Sequence, residues 1–340
     1  MGESSHPASP PGCAATPVHD LAPLARALGV AAVGMKDESD RCGLPAFKVL
    51  GASWAAHRAI DAADRPVTTL VAASAGNHGR AVAHVAAQRG LRCRVFLPAR
   101  SARARREAIA GEGAELVVVD GTYEDAVAAA RWAGTDPGSL EIADVGDSDT
   151  ARWVIEGYSK LFAECELEDY DLVIVPVGVG SLGAAAARAA GPTATSVIAV
   201  EPATAACLGA SLAAGRPVTV PTSGTSMAGL DCAEVSPAAW PDLRLGIRGA
   251  VAVTDHEAHA AMADLAVLGH AIGDCGAAPL AALRALATDP GCAGLRVALG
   301  FGPRTRALLI ATEGVTDPDA YASALADGRA PKSGRSDAPS

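Results

Sequence analysis

The sequence predicts an α/β fold of two domains, each an open twisted sheet with helices on both faces. The chain has 340 residues, enough for two packed domains, and half of them are hydrophobic. Short β-branched segments alternate with longer segments rich in Ala, Leu and Arg. Such alternation is typical of parallel sheets that helices cover on both faces.

The alternation assigns an element to most of the chain. The predicted strands are residues 67–72, 92–97, 115–119, 140–143, 172–177, 196–200 and 307–311. The predicted helices are residues 79–88, 102–110, 123–132, 149–163, 183–190 and 279–287. Residues 1–16 and 328–340 are polar and rich in Ser and Pro, so we expect a loose N-terminus and a disordered tail.

Charge and cysteine usage narrow the function classes. The formal net charge of −10 disfavours nucleic acid or an acidic membrane as a partner. The eight cysteines form no C-x-x-C pair and no metal-ligand cluster with His, so we expect a reduced, cytoplasmic protein without a metal. The N-terminus does not have the pattern of a secretory signal, and no apolar run reaches the roughly 20 residues that span a bilayer.

Lys48 stands in the apolar stretch Ala46-Phe47-Lys48-Val49-Leu50. Burial among such neighbours disfavours the charged form of an amine and lowers its pKa. A neutral amine is what Schiff-base chemistry with an aldehyde requires. We therefore interpret Lys48 as a Schiff-base lysine.

A glycine-rich turn, Ser74-Ala75-Gly76-Asn77-His78-Gly79, follows the strand predicted at 67–72. Its glycines allow close approach of a ligand, and the first amides of the next helix point towards an anion. Ser74 is a candidate partner for a carboxylate, and Asn77 for a ring oxygen. An ordinary strand-to-helix turn with an N-cap is the alternative interpretation.

A second turn follows the apolar strand at 172–177 and offers successive backbone N–H groups and a hydroxyl to a phosphate. Its residues are Gly178, Val179, Gly180, Ser181, Leu182 and Gly183. The spacing departs from G-x-G-x-x-G and no acidic residue is placed to bind a ribose, which disfavours a dinucleotide. After the last strand, Thr312 offers a neutral partner to a pyridine nitrogen, with Glu313 as the competing candidate. Together with Lys48, these motifs point to pyridoxal 5'-phosphate.

These motifs resemble the fold type II pyridoxal-phosphate enzymes, the tryptophan synthase β-like group, and within it the diaminopropionate ammonia-lyase family. Five blocks in the family's order carry the match, and they cover residues 36–48, 76–80, 153–158, 227–230 and 312–317. The resemblance implies a large cofactor-binding domain of residues 17–51 plus 161–327 and a small domain of residues 52–160. It also implies a homodimer.

The resemblance implies a role for each matching residue. Lys48 would form the Schiff base and carry the α-proton, and Asn77 would hold the ring hydroxyl oxygen. The turn 178–183 would hold the phosphate, and Thr312 would face the pyridine nitrogen. Substrate would contact the asparagine turn at Ser74, Ala75, Gly76 and His78, of which His78 is favoured as a structural turn residue rather than a base.

Two departures concern the substrate. Ala75 stands where the family has an Asp implicated in handling the D-isomer, so activity on the L-isomer is favoured. A second family acid lies upstream of Trp153, where Asp144, Asp147 and Asp149 compete. We favour Asp144 because it ends the strand predicted at 140–143; a loop or capping aspartate is the alternative. Asp274 stands where the group often has Glu near the ring.

The sequence thus predicts α,β-elimination of a β-substituted amino acid, most favourably L-2,3-diaminopropionate, to pyruvate and ammonia. A carboxylate such as Asp144 would recognise an amine leaving group, which a hydroxyl leaving group does not need. The alternatives are an L-serine or L-threonine dehydratase, a β-replacement synthase and, more remotely, a non-catalytic binding protein.

Overall fold

The computed structural model describes residues 7, 10 and 12–330, which form two separate sheets with helices packed around them. The large sheet contains β1 (Val18–Asp20), β2 (Ala32–Asp37), β7 (Leu172–Pro176), β8 (Ser196–Pro202), β9 (Ile247–Val253) and β10 (Arg306–Ala311). The small sheet contains β3 (Thr69–Ala73), β4 (Arg92–Pro98), β5 (Glu115–Val119) and β6 (Ser139–Glu141). The predicted α/β fold class is confirmed.

The helices follow the strands in the expected alternation. They are α1 (Ala22–Leu28), α2 (Val49–Asp61), α3 (Asn77–Gln88), α4 (Arg103–Gly111), α5 (Tyr123–Ala133), α6 (Asp149–Ala163), α7 (Ser181–Ala190), α8 (Cys207–Ala214), α9 (Trp240–Gly246), α10 (Asp255–Val267), α11 (Asp274–Thr288), α12 (Ala293–Leu299) and α13 (Pro318–Gly328). Within the described residues, no helix is both long and apolar enough to cross a membrane.

Strand order places the ends of the central strands together. The large sheet runs β1-β2-β10-β7-β8-β9 and the small sheet runs β5-β4-β3-β6. All pairings are parallel except that of the edge strand β1 with β2. Ligands bind such sheets outside the carboxyl ends of the strands, where the two predicted glycine turns lie.

The central strand β7 explains why the large sheet needs helices on both faces. All five of its residues are buried. Val173 and Val175 face one core cluster, while Leu172 and Ile174 face another. Since successive side chains of a strand point to opposite faces, a continuous apolar run requires cover on both sides.

Several elements were not predicted because their sequences lack a clear pattern. β2 contains Gly34, Lys36 and Asp37, and β9 contains a glycine and two alanines among its branched residues. The predicted disordered tail is wrong at its start, since Gly328 belongs to α13, where it packs against α10. The rest of that prediction, from residue 331 onwards, lies outside the described residues.

The end of the N-terminal segment is anchored rather than loose. The hydroxyl of Thr16 donates to Glu38 at 2.6 Å, and Cys13 forms a disulfide with Cys42. Cys42 has a φ of 58°, a left-handed conformation that is uncommon outside glycine. The expectation of a loose N-terminus is therefore wrong for residues 13–16, and the expectation of reduced cysteines is wrong for this pair. The spacing of the cysteines along the chain predicted neither the anchored segment nor the disulfide. The two cysteines meet because the N-terminal segment folds back onto the loop before Lys48.

That loop is held by a buried network of two cations and two carboxylates. Arg41 donates to Glu38 at 2.6 and 2.8 Å and to Glu164, at the end of α6, at 2.6 and 3.0 Å. Lys36 donates to the same Glu164 at 2.7 Å. The charges balance, and the two forked contacts of Arg41 have the geometry that makes such pairs strong.

Close helix packing then fixes the residue that follows the loop. A Cβ on Gly157 of α6 would lie 2.7 Å from the carbonyl oxygen of Leu50 and 2.8 Å from Cα of Gly51 in α2. The two helices therefore touch backbone to backbone, which only glycine allows here. Lys48 stands immediately before α2, so this contact fixes its backbone.

We expect Arg41→Ala to destabilise the protein strongly. The side chain of Arg41 is 1% exposed, and its removal leaves two buried carboxylates with one cation, Lys36, a loss of about 3–5 kcal/mol in the free energy of unfolding. Urea unfolding measures it. Arg103→Ala, which removes an exposed pair with Glu107, is the control and should leave the midpoint unchanged. Equal midpoints for the two variants would contradict the role of the network.

Candidate active site

A cavity of about 740 Å³ lies between the two sheets and brings the predicted site residues together. Its lining includes Lys48, Asp144, residues 74–78, residues 178–182, Thr312 and Glu313. Gly183 is the one predicted residue that does not line it, since its α-carbon faces Leu243. Motifs separated by more than 200 residues thus meet in one place.

Lys48 and Asp144 form an ion pair across this cavity. Nζ of Lys48 lies 3.2 Å from Oδ2 of Asp144, and their side chains are 21% and 12% exposed. Burial acts to lower the pKa of Lys48, but the negative charges of an ionised Tyr158 and of Asp144 raise it above its ordinary value. Burial raises the pKa of Tyr158 to about 12, so near neutral pH Asp144 is the partner that matters.

The expectation of a lowered Lys48 pKa is therefore wrong. The sequence shows the apolar neighbours of Lys48 but not a carboxylate 96 residues away. Asp144 responds in the opposite sense. Burial acts to raise its pKa, but the charges of His78 and Lys48 outweigh burial and lower it.

The three aspartates that are candidates for the active-site acid lie in different surroundings. Asp144 follows β6 and points at Lys48, whereas Asp147 and Asp149 both contact Arg152 on the exposed side of α6. The preference for Asp144 rested on a strand predicted at 140–143. The observed strand β6 ends at Glu141, and Asp144 lies in the segment that follows it, where it lines the cavity.

The glycine turn after β7 presents backbone rather than side chains to the cavity. Gly180 has a φ of 103°, and a Cβ on Gly178 would lie 2.8 Å from the carbonyl oxygen of Gly229. Both positions therefore require glycine. The amides that begin α7 have no acceptor within their own helix and are available to an anion. The side chain of Ser181 makes a separate contact: its hydroxyl donates a hydrogen bond to the backbone carbonyl oxygen of Asp144 at 3.1 Å.

Asn77 is engaged with Glu313 in this structure. Its amide donates to Oε2 of Glu313 at 2.5 Å. Glu313 is buried; burial and, next, the charge of Asp274 raise its pKa to about 7. Burial likewise raises the pKa of Asp274. Glu313, the competing candidate for the ring nitrogen, thus meets the asparagine turn instead, beside a second acid.

The remaining predicted residues surround these pairs. Thr312 is buried at the end of β10, and its hydroxyl makes no hydrogen bond to another described residue. Ser74 accepts a hydrogen bond from the amide of Gly76 at 3.2 Å, a local turn contact. Nε2 of His78 lies 2.7 Å from the carbonyl oxygen of Ile142 and therefore donates to it. Its Nδ1 faces Asp144 at 3.7 Å, so His78 supports the acid.

The family model described as pyridoxal-phosphate dependent enzyme matches residues 10–299. The chain belongs to this family. It is 31% identical over 362 residues to the diaminopropionate ammonia-lyase of Salmonella typhimurium, covering 94% of this chain and 90% of that protein. The predicted fold type II is confirmed.

Two further relatives differ in how much of the chain they match. The crystal structure of Escherichia coli diaminopropionate ammonia lyase, in complex with an aminoacrylate–PLP azomethine reaction intermediate, has a TM-score of 0.82 and 29% identity. That match covers 94% of this chain and 89% of the other. The biosynthetic L-threonine dehydratase of Mycobacterium bovis is 38% identical over 159 residues, covering 44% of this chain and 36% of that protein.

The cavity fits pyridoxal phosphate, the cofactor of this family. Lys48 supplies an amine, the turn 178–182 supplies free amides at the start of α7, and Asn77 and Thr312 supply polar side chains on the remaining walls. The turn keeps this backbone path only with glycine at 178 and 180, because a Cβ would collide with Gly229 at the first position and with Leu243 at the second. The residues predicted to hold the cofactor therefore share one cavity, with the exception of Gly183.

Sequence reasoning missed two residues that lie beside Lys48. The ring of Tyr158 lies under Lys48, with Nζ 5.8 Å from the ring centroid, and packs on Phe47 at 4.7 Å between centroids. Cys232 is half-buried near the same amine, and burial raises its pKa to about 12. Tyr158 is the last residue of the matching block 153–158, whereas Cys232 lies outside all five blocks, so the sequence offered a signal for Tyr158 alone.

Glu313 should make stability depend on pH. A carboxyl that binds its proton more tightly when folded stabilises the fold fully below its ordinary pKa of 4.5, and this stabilisation is lost as pH rises through about 7. We expect the free energy of unfolding to fall over this range by at most ~1.4 kcal/mol per pH unit for this group. Glu313→Gln should reduce this fall, because the amide of Gln does not titrate. The carbonyl oxygen of Gln can still accept the hydrogen bond from Asn77, so that contact is kept.

Urea unfolding at a series of pH values measures this dependence. Glu115→Gln, which changes an exposed carboxyl on the small sheet, is the matched control and should keep the wild-type profile. An unchanged profile in Glu313→Gln would show that Glu313 does not hold a proton near neutral pH.

Proposed function

We propose that this enzyme catalyses α,β-elimination of a β-substituted amino acid, with L-2,3-diaminopropionate as the favoured substrate and pyruvate and ammonia as products. The observation that carries this is the carboxylate of Asp144 held 3.2 Å from the amine of Lys48. Similarity over nearly the whole chain to diaminopropionate ammonia-lyases supports the same reaction.

The proposed chemistry divides between the cofactor and the chain. When bound, pyridoxal phosphate supplies an aldehyde for amines and a ring that delocalises negative charge from the α-carbon. The turn 178–183 would hold the phosphate, Asn77 the ring hydroxyl oxygen and Thr312 the ring nitrogen. Glu313 would then have to give up the Asn77 amide or share it. Ser74 and Gly76 would hold the substrate carboxylate.

Lys48 and Asp144 would act in sequence. Nζ of Lys48, as a free amine, would take the α-proton of the substrate. Oδ2 of Asp144 would bind the β-ammonium group of the substrate in place of Nζ of Lys48. The β-ammonium group already has its proton, so it departs as ammonia while Nζ keeps the α-proton, and a second ammonia follows on hydrolysis. We propose that closure of the small domain, residues 52–160, onto residues 17–51 and 161–327 excludes water meanwhile.

A dehydratase is the second candidate, because one observation favours it. The turn Ser74-Ala75-Gly76-Asn77-His78 lacks the family's aspartate and is closer to threonine and serine dehydratases, and the local similarity to an L-threonine dehydratase agrees. We also propose a small amino acid as the substrate, a homodimer, which is typical of the family, and a cytoplasmic location.

Product stoichiometry tests the proposal directly. Diaminopropionate elimination releases two ammonia molecules for each pyruvate, whereas serine releases only one. Purified holoenzyme should convert L-diaminopropionate with the larger ratio and with higher kcat/KM than L-serine or L-threonine. Absence of both pyruvate and ammonia from L-diaminopropionate would refute it, and faster turnover of L-threonine would favour the dehydratase.

Asp144→Asn should lower kcat/KM for L-diaminopropionate by about 10²–10⁴-fold. The neutral amide no longer binds the β-ammonium group, whereas L-serine carries no such charge and should lose less. Asp147→Asn is the matched control, since Asp147 contacts Arg152 at the surface. Steady-state kinetics on both substrates decide the matter. An equal loss on both would mean that Asp144 serves Lys48 alone and does not select the substrate.

Ala75→Asp should raise the ratio of D- to L-diaminopropionate turnover. Lys48 takes the α-proton from one face of the substrate, so removing that of the D-isomer requires a second base. Ala75 lines the same cavity and stands where the family has an Asp implicated in handling the D-isomer. The wild type should favour the L-isomer by at least about tenfold, a general-base effect. Ala75→Asn, equal in size but not basic, is the control. If wild type turns over both isomers equally, Ala75 does not determine stereochemistry.

A further inference from the structure

Three potential metal ligands meet at the edge of the large sheet, outside the cavity. They are His19 on β1, Asp37 at the end of β2 and His270 in the loop between α10 and α11. All three are partly buried. Their positions in the chain show no metal-binding spacing, because the fold alone brings them together.

The donor atoms are close enough to converge on one ion. Nε2 of His19 lies 3.2 Å from Oδ2 of Asp37, and the ring centroids of His19 and His270 are 4.5 Å apart. All three donor atoms lie within 4.8 Å of one another. Donor atoms that bind one ion tetrahedrally at about 2.1 Å lie roughly 3.4 Å from one another. Side-chain rotations that move each donor atom by about 1 Å would therefore bring all three into this range.

The surrounding contacts leave these donors available and oriented. Oδ1 of Asp37 accepts a hydrogen bond from the amide of Ser39 at 2.9 Å, which directs Oδ2 towards His19. The ring nitrogens of His270 make no hydrogen bond to any described residue, although the ring stacks against His19. An outer contact that orients a ligand, combined with an uncommitted imidazole, is what a metal site requires.

We propose that His19, Asp37 and His270 form a binding site for a divalent ion of the zinc type. Two imidazoles and a carboxylate suit zinc, and partial exposure leaves a fourth position for water. The ion would tie β1 to the loop before α11. That loop continues through Gly273, whose amide donates to the carbonyl oxygen of Glu313 at 3.0 Å, so the ion would also steady one wall of the cavity.

A second group of donors, Asp274, Cys275 and Glu313, lies in the cavity itself. We do not assign the ion there, because Glu313 already accepts from Asn77, and burial raises the pKa of Cys275, keeping its thiol protonated. A thiol must lose its proton to bind zinc. The experiment below separates the two locations.

Calorimetric titration of the full-length holoenzyme with Zn²⁺, after treatment with a chelator and dialysis, tests the proposal. Wild type should bind one ion per chain in a saturable event. His270→Ala and Asp37→Asn should each weaken it at least tenfold. His57→Ala is the matched control: His57 also pairs with an aspartate, Asp61, but has no second histidine, and its loss should leave binding unchanged.

Thermal unfolding gives a second readout that does not depend on catalysis. At a Zn²⁺ concentration about 100-fold above Kd, the Tm of wild type should rise by roughly 3–6 °C, while that of His270→Ala should not. Melting without Zn²⁺ confirms that the variants fold. No saturable binding by wild type, or equal binding by His270→Ala and His57→Ala, would overturn the proposal. So would loss of binding in Cys275→Ser but not in His270→Ala, because the ion would then lie in the cavity.

Discussion

The ion pair between Lys48 and Asp144 is the contact on which the rest of the site depends. It joins the residue before α2 to the segment that follows β6, across the cavity proposed for the cofactor. Nδ1 of His78 faces the carboxylate of Asp144 at 3.7 Å, and the hydroxyl of Ser181 donates to the backbone carbonyl oxygen of Asp144. The negative charges near Lys48, Asp144 among them, raise the pKa of its amine, so the amine of this pair is charged near neutral pH. In the proposed mechanism a substrate ammonium group competes with Lys48 for Asp144.

A buried network of charged side chains holds the loop that precedes Lys48. The loop before Lys48 contains Arg41, whose two carboxylate partners come from the same loop and from α6, and it receives the N-terminal segment through the Cys13–Cys42 disulfide. Buried ion pairs are weak sources of net stability but are intolerant of losing one partner. Such a network therefore fixes the position of the loop more than it stabilises the fold. Backbone contact between α2 and α6 completes the arrangement by fixing the residue after the loop.

Local chemistry made part of this predictable. Lys48, Asn77 and the glycine turn after β7 are recognisable because each needs a particular residue type beside a strand or in an apolar stretch. Asp144 was separable from Asp147 and Asp149 only by its predicted position at a strand end. The pairing of Asn77 with Glu313, the raised pKa of Lys48 and the disulfide were not predictable. Each depends on residues far apart in the chain, and only the fold brings them together. The strands β2 and β9 were missed for a related reason, since partners in the sheet compensate for their charges and glycines.

The chain has four lysines, at 36, 48, 160 and 332, so the identity of the Schiff-base residue can be tested without ambiguity. Reduction of the holoenzyme with borohydride makes the bond to pyridoxal phosphate permanent, and peptide mass mapping then locates it. The account predicts the added mass on the peptide that contains Lys48, with Lys36 protected in its buried ion network. Label on Lys36 or Lys160 instead, or no label on any lysine after cofactor loading, would contradict it.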